Sequence, residues 1–299
     1  MSSVTVRVPA KVNVQLSVGP LRDDGYHDLV NVFHAVSIFD EVVAKESEGL
    51  SVKVVGESAE LVPLDDSNLA IQAARALAKH AGRTYGVELV ITKAIPVAGG
   101  MAGGSADAAG ALIACNELWG LGLPREDLME IAADLGSDVP FSLMGGTALG
   151  TGRGEQLTPV ETAGRFHWVF AVADGGLSTA RVYAECDRLR EATGTRVGWP
   201  QVNEALLAAL KAGDARALGA ELTNDLQPAA LMLRRSLART LDAGRGSGAL
   251  GAIVSGSGPT CAFLVGDEEH AHDLAASLTS LGVARTAVPT YGPAVPHIA

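Results

Sequence analysis

A chain of 299 residues, 47% hydrophobic but only 4% aromatic, has room for one large domain or two ordinary ones and must build its core mainly from Ala, Val and Leu. Its net charge of −11 and pI near 5.1 argue against a nucleic-acid or anionic-membrane surface, which would need basic patches. An anionic small molecule stays compatible with that charge where a few cations line one cleft. The three cysteines (Cys115, Cys186, Cys261) stand far apart in apolar sequence, fit neither a zinc spacing nor a disulfide framework, and read as buried thiols of a reducing compartment. The N-terminus lacks the apolar core of a signal peptide, and no run approaches the roughly 18 apolar residues of a membrane span. The expectation is a cytoplasmic protein with neither membrane nor nucleic-acid partner.

In chain order, residues 4–18 alternate as strand, with Val4, Val6 and Val8 before Pro9 and Val12, Val14 and Leu16 after it, and Pro9 predicts a bend or an edge between the halves. On such a strand Lys11 and Asn13, two apart, point to one side; by itself Lys11 reads as a solvated residue. A polar turn, Pro20 to His27, ends in the pair Tyr26-His27. Residues 29–37, 41–45 and 50–55 read as further strands. Asp65-Asp66-Ser67-Asn68 caps a helix through His80 with Ile71, Ala74, Leu77 and Ala78 on one face, and 85–92 alternates again as strand.

That strand delivers the chain to Ala98-Gly99-Gly100-Met101-Ala102-Gly103-Gly104, four glycines and two alanines within seven residues, followed by Ser105 and an alanine-rich helix to about Trp119. A glycine loop opening into a helix suits anions, because backbone N–H groups can turn inward and the helix N-terminus adds partial positive charge. Ser105 is a plausible N-cap, or a contact to metal or phosphate. The loop is not a P-loop, since no lysine falls between Lys93 and Lys211, and Ala102 stands where a dinucleotide fingerprint requires glycine. A charge partner for bound phosphate must come from elsewhere in the chain.

Residues 124–135 form a second helix stopped by Gly136, and Asp138 follows on a turn among small and apolar residues; for a generic Asp there, an Asx-turn or capping role is the ordinary reading. A strand over 145–151 and a tight turn, Gly152-Arg153-Gly154-Glu155, precede a change of composition. The boundary is placed there, giving an N-terminal domain 1–157 and a C-terminal domain 158–299. The second half alternates strands (168–172, 251–255, 261–265, 284–289) with helices (179–191, 202–211, 215–222, 229–243, 268–281), and Gly244 to Gly248 reads as a flexible turn. This is an α+β chain in two-layer arrangement. A second glycine cluster, Ser255-Gly256-Ser257-Gly258-Pro259-Thr260, lies between two strands, and two such loops in separate domains make most sense facing one cleft.

Three stretches together, Pro9 to Asn13, Pro96 to Ala109 and Ser255 to Thr260, resemble in order and placement the three motifs of the kinases named for galactose, homoserine, mevalonate and phosphomevalonate (GHMP kinases). Asp24-Gly25-Tyr26-His27-Asp28-Leu29, Gly136 to Phe141, Gly152 to Glu155 and Leu177 to Ala180 are similar to the branch that phosphorylates the 2-hydroxyl of 4-diphosphocytidyl-2-C-methyl-D-erythritol, in the non-mevalonate route to isoprenoids. The resemblance implies a two-domain fold, helices layered on mainly antiparallel sheets, with the site in the cleft between domains, and ATP and Mg²⁺ as cofactors. It implies Asp138 as catalytic base with Lys11 as charge partner. It puts ATP at Pro96, Val97, Ala98, Gly99, Gly100, Met101, Ala102, Gly103, Gly104, Ser105 and Ala106, with Asn68 at the adenine and Mg²⁺ held mostly by phosphate and water with help from Ser105. On the substrate side, Tyr26 and Tyr183 would stack on cytosine, His27 would bond its edge, and Asn13 and Thr179 would contact the erythritol diphosphate. Monomer and homodimer are both compatible with it. Alternatives are another small-molecule kinase of the family (homoserine or mevalonate type) and a non-catalytic ligand-binding paralogue. The loop departs from the family pattern, which has Gly at 98 and 102, Leu at 101 and Ser at 106, where this chain has Ala98, Ala102, Met101 and Ala106. Alanine disfavours φ > 0, so a locally different loop shape and altered nucleotide affinity are expected.

Overall fold

The structure, a computed structural model, describes residues 2–299. It opens with two long paired strands, β1 (Ser3–Leu21) and β2 (His27–Glu46), antiparallel over nearly their whole length. Neither is interrupted as the sequence suggests. Pro9 sits at a register shift between Pro9 and Ala10, so a bulge absorbs the residue that cannot donate to the ladder, and β1 runs on. The stretches 29–37 and 41–45 are likewise one strand. β3 (Leu50–Gly56) follows, and then α1 (Leu69–His80), which starts where the sequence places it. The side-chain oxygen of Asn68 accepts from the N–H of Ala70 (2.9 Å) and Ile71 (3.4 Å), a cap that stabilises a helix by about 1 kcal/mol.

β4 (Val87–Lys93) pairs antiparallel with β2 and parallel with β3, and α2 (Gly103–Leu118) packs against β1, β2 and α1. Its residues are small and apolar on almost every side, which lets a helix lie this close to a sheet while buried. α3 (Arg125–Leu135) ends at Gly136, and α4 (Val139–Met144), a short helix the sequence does not announce, is entered through Asp138. β5 (Thr147–Thr151) and β6 (Gln156–Pro159) form a hairpin on β2, so the expected boundary at 157/158 falls inside β6.

The second half begins with β7 (Phe166–Val172) and the helices α5 (Thr179–Thr193), α6 (Glu204–Ala212) and α7 (Ala215–Glu221). Then come the two-residue β8 (Thr223–Asn224), α8 (Gln227–Leu233), α9 (Ser236–Gly246), β9 (Gly251–Val254), β10 (Cys261–Val265), α10 (Glu268–Ser280), β11 (Thr286–Gly292) and β12 (His297–Ile298). The expected single helix 229–243 is two helices, because Arg234 leaves the helical conformation (φ −144°, ψ 85°) between them. Gly244 is helical rather than part of a flexible turn. A Cβ there would run into the Phe263 ring, so the glycine serves close packing of α9 on β10.

A four-stranded antiparallel sheet, β11-β7-β10-β9, forms the second half, and the first sheet is mixed but mainly antiparallel. Two returns tie them together: β8 pairs parallel with β1 at Gln15 and Leu16, and β12 pairs with β1 at Val6 and Arg7. One hydrophobic core accordingly contains both Val8 and Val12 of the first sheet and Phe166, Trp168 and Leu264 of the second. Cys115, Cys186 and Cys261 are buried free thiols.

Candidate active site

A cavity of about 850 Å³ opens between the sheets, and its walls come from β1, β2, the glycine loop, Asp138, the β5–β6 turn, α5 and the second glycine loop. Because α2 starts at Gly103, Ser105 is not its cap. The cap position is Ala102, whose methyl offers no acceptor, so the first-turn N–H groups at Gly103, Gly104 and Ser105, residues that line the cavity, have no side-chain cap. Uncapped donors and the positive end of a 16-residue helix make an anion seat. Ala98 (φ 53°) and Ala102 (φ 60°) both adopt the left-handed conformation. Both alanines thus stand in a region of φ that favours glycine. An alanine held there carries strain of about 1–2 kcal/mol per residue.

Asp40, Lys93 and Asp107 brace the loop from below, all buried. Asp40 accepts the N–H of Ala94 (2.7 Å) and Ile95 (2.9 Å), while Lys93 donates to Asp40 and to Asp107 (2.8 Å). Burial opposes the charge on Lys93, but the two carboxylates outweigh it and raise its pKa; burial pushes Asp107 up to about 7 against the pull of Lys93. This triad was not foreseen, since its members are 53 and 14 residues apart. The second glycine loop closes over the first: Ser255 donates its hydroxyl to the Gly100 carbonyl (3.1 Å), which bears out the expectation that both loops face one cleft.

Lys11 is almost fully buried and lies 3.6 Å from the carboxylate of Asp138, which is a third exposed. Although Asp138 precedes α4, its side chain makes no capping bond, so it remains available to the cavity. Lys11 donates to Asn13 (2.7 Å), whose amide donates to Asn31 (2.7 Å), a chain that holds the ammonium in place. Gly256, at φ +55°, stands over this row. A Cβ there would come within 3.4 Å of the Lys11 ammonium and 3.2 Å of Asn13 Oδ1.

Toward the mouth, Tyr26 is half exposed, with the Arg153 guanidinium 5.1 Å from its ring centre. His27 stacks on Tyr183 at 5.5 Å. Its Nδ1 is 2.9 Å from the Gly19 carbonyl and its Nε2 3.3 Å from Asp187, so both ring nitrogens already have protein partners. Thr179 and Ser257 share a hydroxyl bond of 3.0 Å at the wall.

The predicted residues Lys11, Asn13, Tyr26, His27, Asp138, Thr179 and Tyr183 thus meet in one cavity, together with Ala98, Gly99, Gly100, Ala102 and Gly103 to Ser105. Asn68 does not line it: its oxygen caps α1 and its amide donates to the Pro63 carbonyl (2.8 Å). Met101 and Ala106 are fully buried in the core, and Met101 contributes its carbonyl to the Lys11 N–H (3.3 Å). Pro96 and Val97 stand outside the wall. Asn31, Arg153 and Asp187 were missed; Asp187 could have been found, because Thr179, Tyr183 and Asp187 recur every four residues on one face of α5. Among the described residues no group of three or more His, Cys, Asp or Glu could hold a metal ion.

The signature of the GHMP kinases N terminal domain matches residues 68–146 and that of the GHMP kinases C terminal matches residues 206–284. A relative from Thermobifida fusca (strain YX), named 4-diphosphocytidyl-2-C-methyl-D-erythritol kinase, is 60% identical over 98% of this chain and 96% of its own. The chain belongs to the GHMP kinase family. A crystal structure of 4-(cytidine 5'-diphospho)-2C-methyl-D-erythritol kinase superposes on this GHMP kinase with a TM-score of 0.79 at 31% identity, covering 97% of this chain and all of that one. A homoserine kinase from Cytophaga hutchinsonii superposes with a TM-score of 0.77 at 18% identity, over 100% and 98% of the two chains, which shows the shared fold alone. No helix among the described residues is long and apolar enough to cross a membrane.

Proposed function

We propose that this GHMP kinase transfers the terminal phosphoryl group of ATP to the 2-hydroxyl of 4-diphosphocytidyl-2-C-methyl-D-erythritol, in the non-mevalonate route to isoprenoid precursors. The observation that carries the chemistry is the Lys11–Asp138 pair, 3.6 Å apart in the same cavity as the open N-terminus of α2. The choice of substrate is supported by the name carried by the relative at 60% identity.

In this reading the loop Ala98 to Ser105 takes the triphosphate through backbone N–H groups. The alcohol approaches Asp138, which accepts the hydroxyl proton as the oxygen attacks the phosphorus and ADP leaves, and Lys11 stabilises charge on the attacking oxygen. The Ser105 hydroxyl and the Asp138 carboxylate line the cavity, and among the described residues no cluster of three or more His, Cys, Asp or Glu could hold a metal ion, so the donor set fits Mg²⁺ held mainly by phosphate and water. When bound, Mg²⁺ supplies neutralisation of phosphate charge. Tyr26 and Tyr183 provide aromatic surface for the cytosine, with His27 beside it, while Asn13 and Thr179 reach the methylerythritol end. The first half, near 1–157, carries the nucleotide loop and the reacting pair, and 158–299 closes the cleft.

Asp138→Ala is expected to lower kcat by about 10²- to 10⁴-fold, as the loss of a general base does, while an ATP analogue binds within about twofold of wild type by titration calorimetry. Turnover that survives the substitution would remove Asp138 from the mechanism. Assayed on a panel, turnover of homoserine or mevalonate but not of the cytidyl substrate would overturn the substrate assignment.

A further inference from the structure

Two cations with permanent charge line the cavity, Lys11 and Arg153, and they differ in what they face. Lys11 is matched by Asp138, as His27 is by Asp187. The Arg153 guanidinium makes no ion pair or side-chain hydrogen bond among the described residues, and its one close companion is the ring of Tyr26. The turn that carries it is well anchored. The Arg153 N–H donates to Glu155 (2.7 Å), and Leu29 of β2 donates to the Gly152 carbonyl (2.7 Å). An anchored arginine held over an aromatic face and left without an anion is suited to an incoming one.

Register shows which part of a substrate meets it. Asn31 of β2 stands opposite Gly150, so Arg153 lies abreast of residues 27–29, beside the Tyr26 platform. Two to four residues along β2, about 7–13 Å at strand spacing, Asn31 connects through Asn13 to Lys11 and thence to Asp138. A ligand with its base at Tyr26 and its reacting hydroxyl at Asp138 must lay its linker along this interval. We infer that Arg153 is the specificity-determining cation that receives the diphosphate of the nucleotide-linked alcohol, set by the Tyr26 face. This rests on the cytidyl substrate proposed above. It also predicts that the triphosphate of ATP, held at the α2 terminus, does not depend on Arg153.

The test compares wild type with R153Q, an exposed turn substitution, using cytidine and CDP as titration probes together with steady-state kinetics. Wild type is expected to bind CDP more tightly than cytidine. R153Q should weaken CDP by about 10- to 100-fold, the range for a charge-assisted bond to phosphate, and leave cytidine within about twofold. The KM for the cytidyl substrate should rise in parallel, with kcat and the KM for ATP little changed. If R153Q keeps the preference for CDP, or weakens cytidine as much as CDP, Arg153 only supports the base platform and the inference fails by itself. A wild type that neither turns over the cytidyl substrate nor binds CDP overturns the substrate reading, and this inference with it.

Discussion

At the scale of single residues, the buried polar groups are where sequence and environment are least alike. His34 is fully buried beneath the second sheet, with Nδ1 2.9 Å from the Thr147 hydroxyl and Nε2 against the Gly292 backbone without hydrogen-bond geometry. Its other neighbours are the rings of Phe166 and Trp168, and no charged group pairs with it. Burial lowers its pKa to about 4. The unfolded chain then binds a proton between pH 6.5 and 4 that the folded one refuses, so stability falls as pH drops through that window and is intact above it. The loss amounts to about 3 kcal/mol at the acid end. Urea midpoints for wild type and His34→Gln at pH 7.5 and 4.5 check this: the fall between the two pH values should be smaller in the variant, and equal falls would clear His34 of the effect.

At the scale of elements, the glycine loop holds its shape against its own sequence. Ala102 occupies the left-handed region at the cap of α2, and replacing it by glycine relieves about 1–2 kcal/mol of strain while restoring about 0.4–1 kcal/mol of unfolded-state freedom. Ala102→Gly should therefore stabilise the protein by about 0.5–1 kcal/mol, read as a higher urea midpoint at unchanged slope. A lower midpoint would mean that the alanine is held there without strain. The same element shows what was legible beforehand. Glycine content and an alanine-rich run marked the loop and α2, and Asn68 marked the start of α1, because caps and periodicity are local properties. Pro9 misled because a bulge, set by the partner strand, absorbed it. Asn68 stands off the cavity wall, its oxygen on the first turn of α1 and its amide on Pro63. Asn31, Arg153 and the Asp40–Lys93–Asp107 triad were illegible because their roles come from cross-strand register and loop closure rather than from their neighbours in sequence.

At the scale of the whole molecule, β1 is the common member. It pairs with β2 along its length and accepts β8 and β12 from the far end of the chain, and one core runs under both sheets. The halves are therefore expected to unfold together despite their separate sheets. Trp119 reports on the first half and Trp168 on the second; followed separately, in Trp→Phe variants that leave one or the other, their urea transitions should coincide, and two midpoints would show independent domains. The latch between the loops carries a consequence for synthesis. The Gly100 carbonyl waits for the hydroxyl of Ser255, and β1 waits for β12, made long after it. A chain emerging from its N-terminus has Lys11, the glycine loop and Asp138 in hand early, yet that loop stays unfastened until the second glycine loop arrives, so a prematurely ended chain leaves it open.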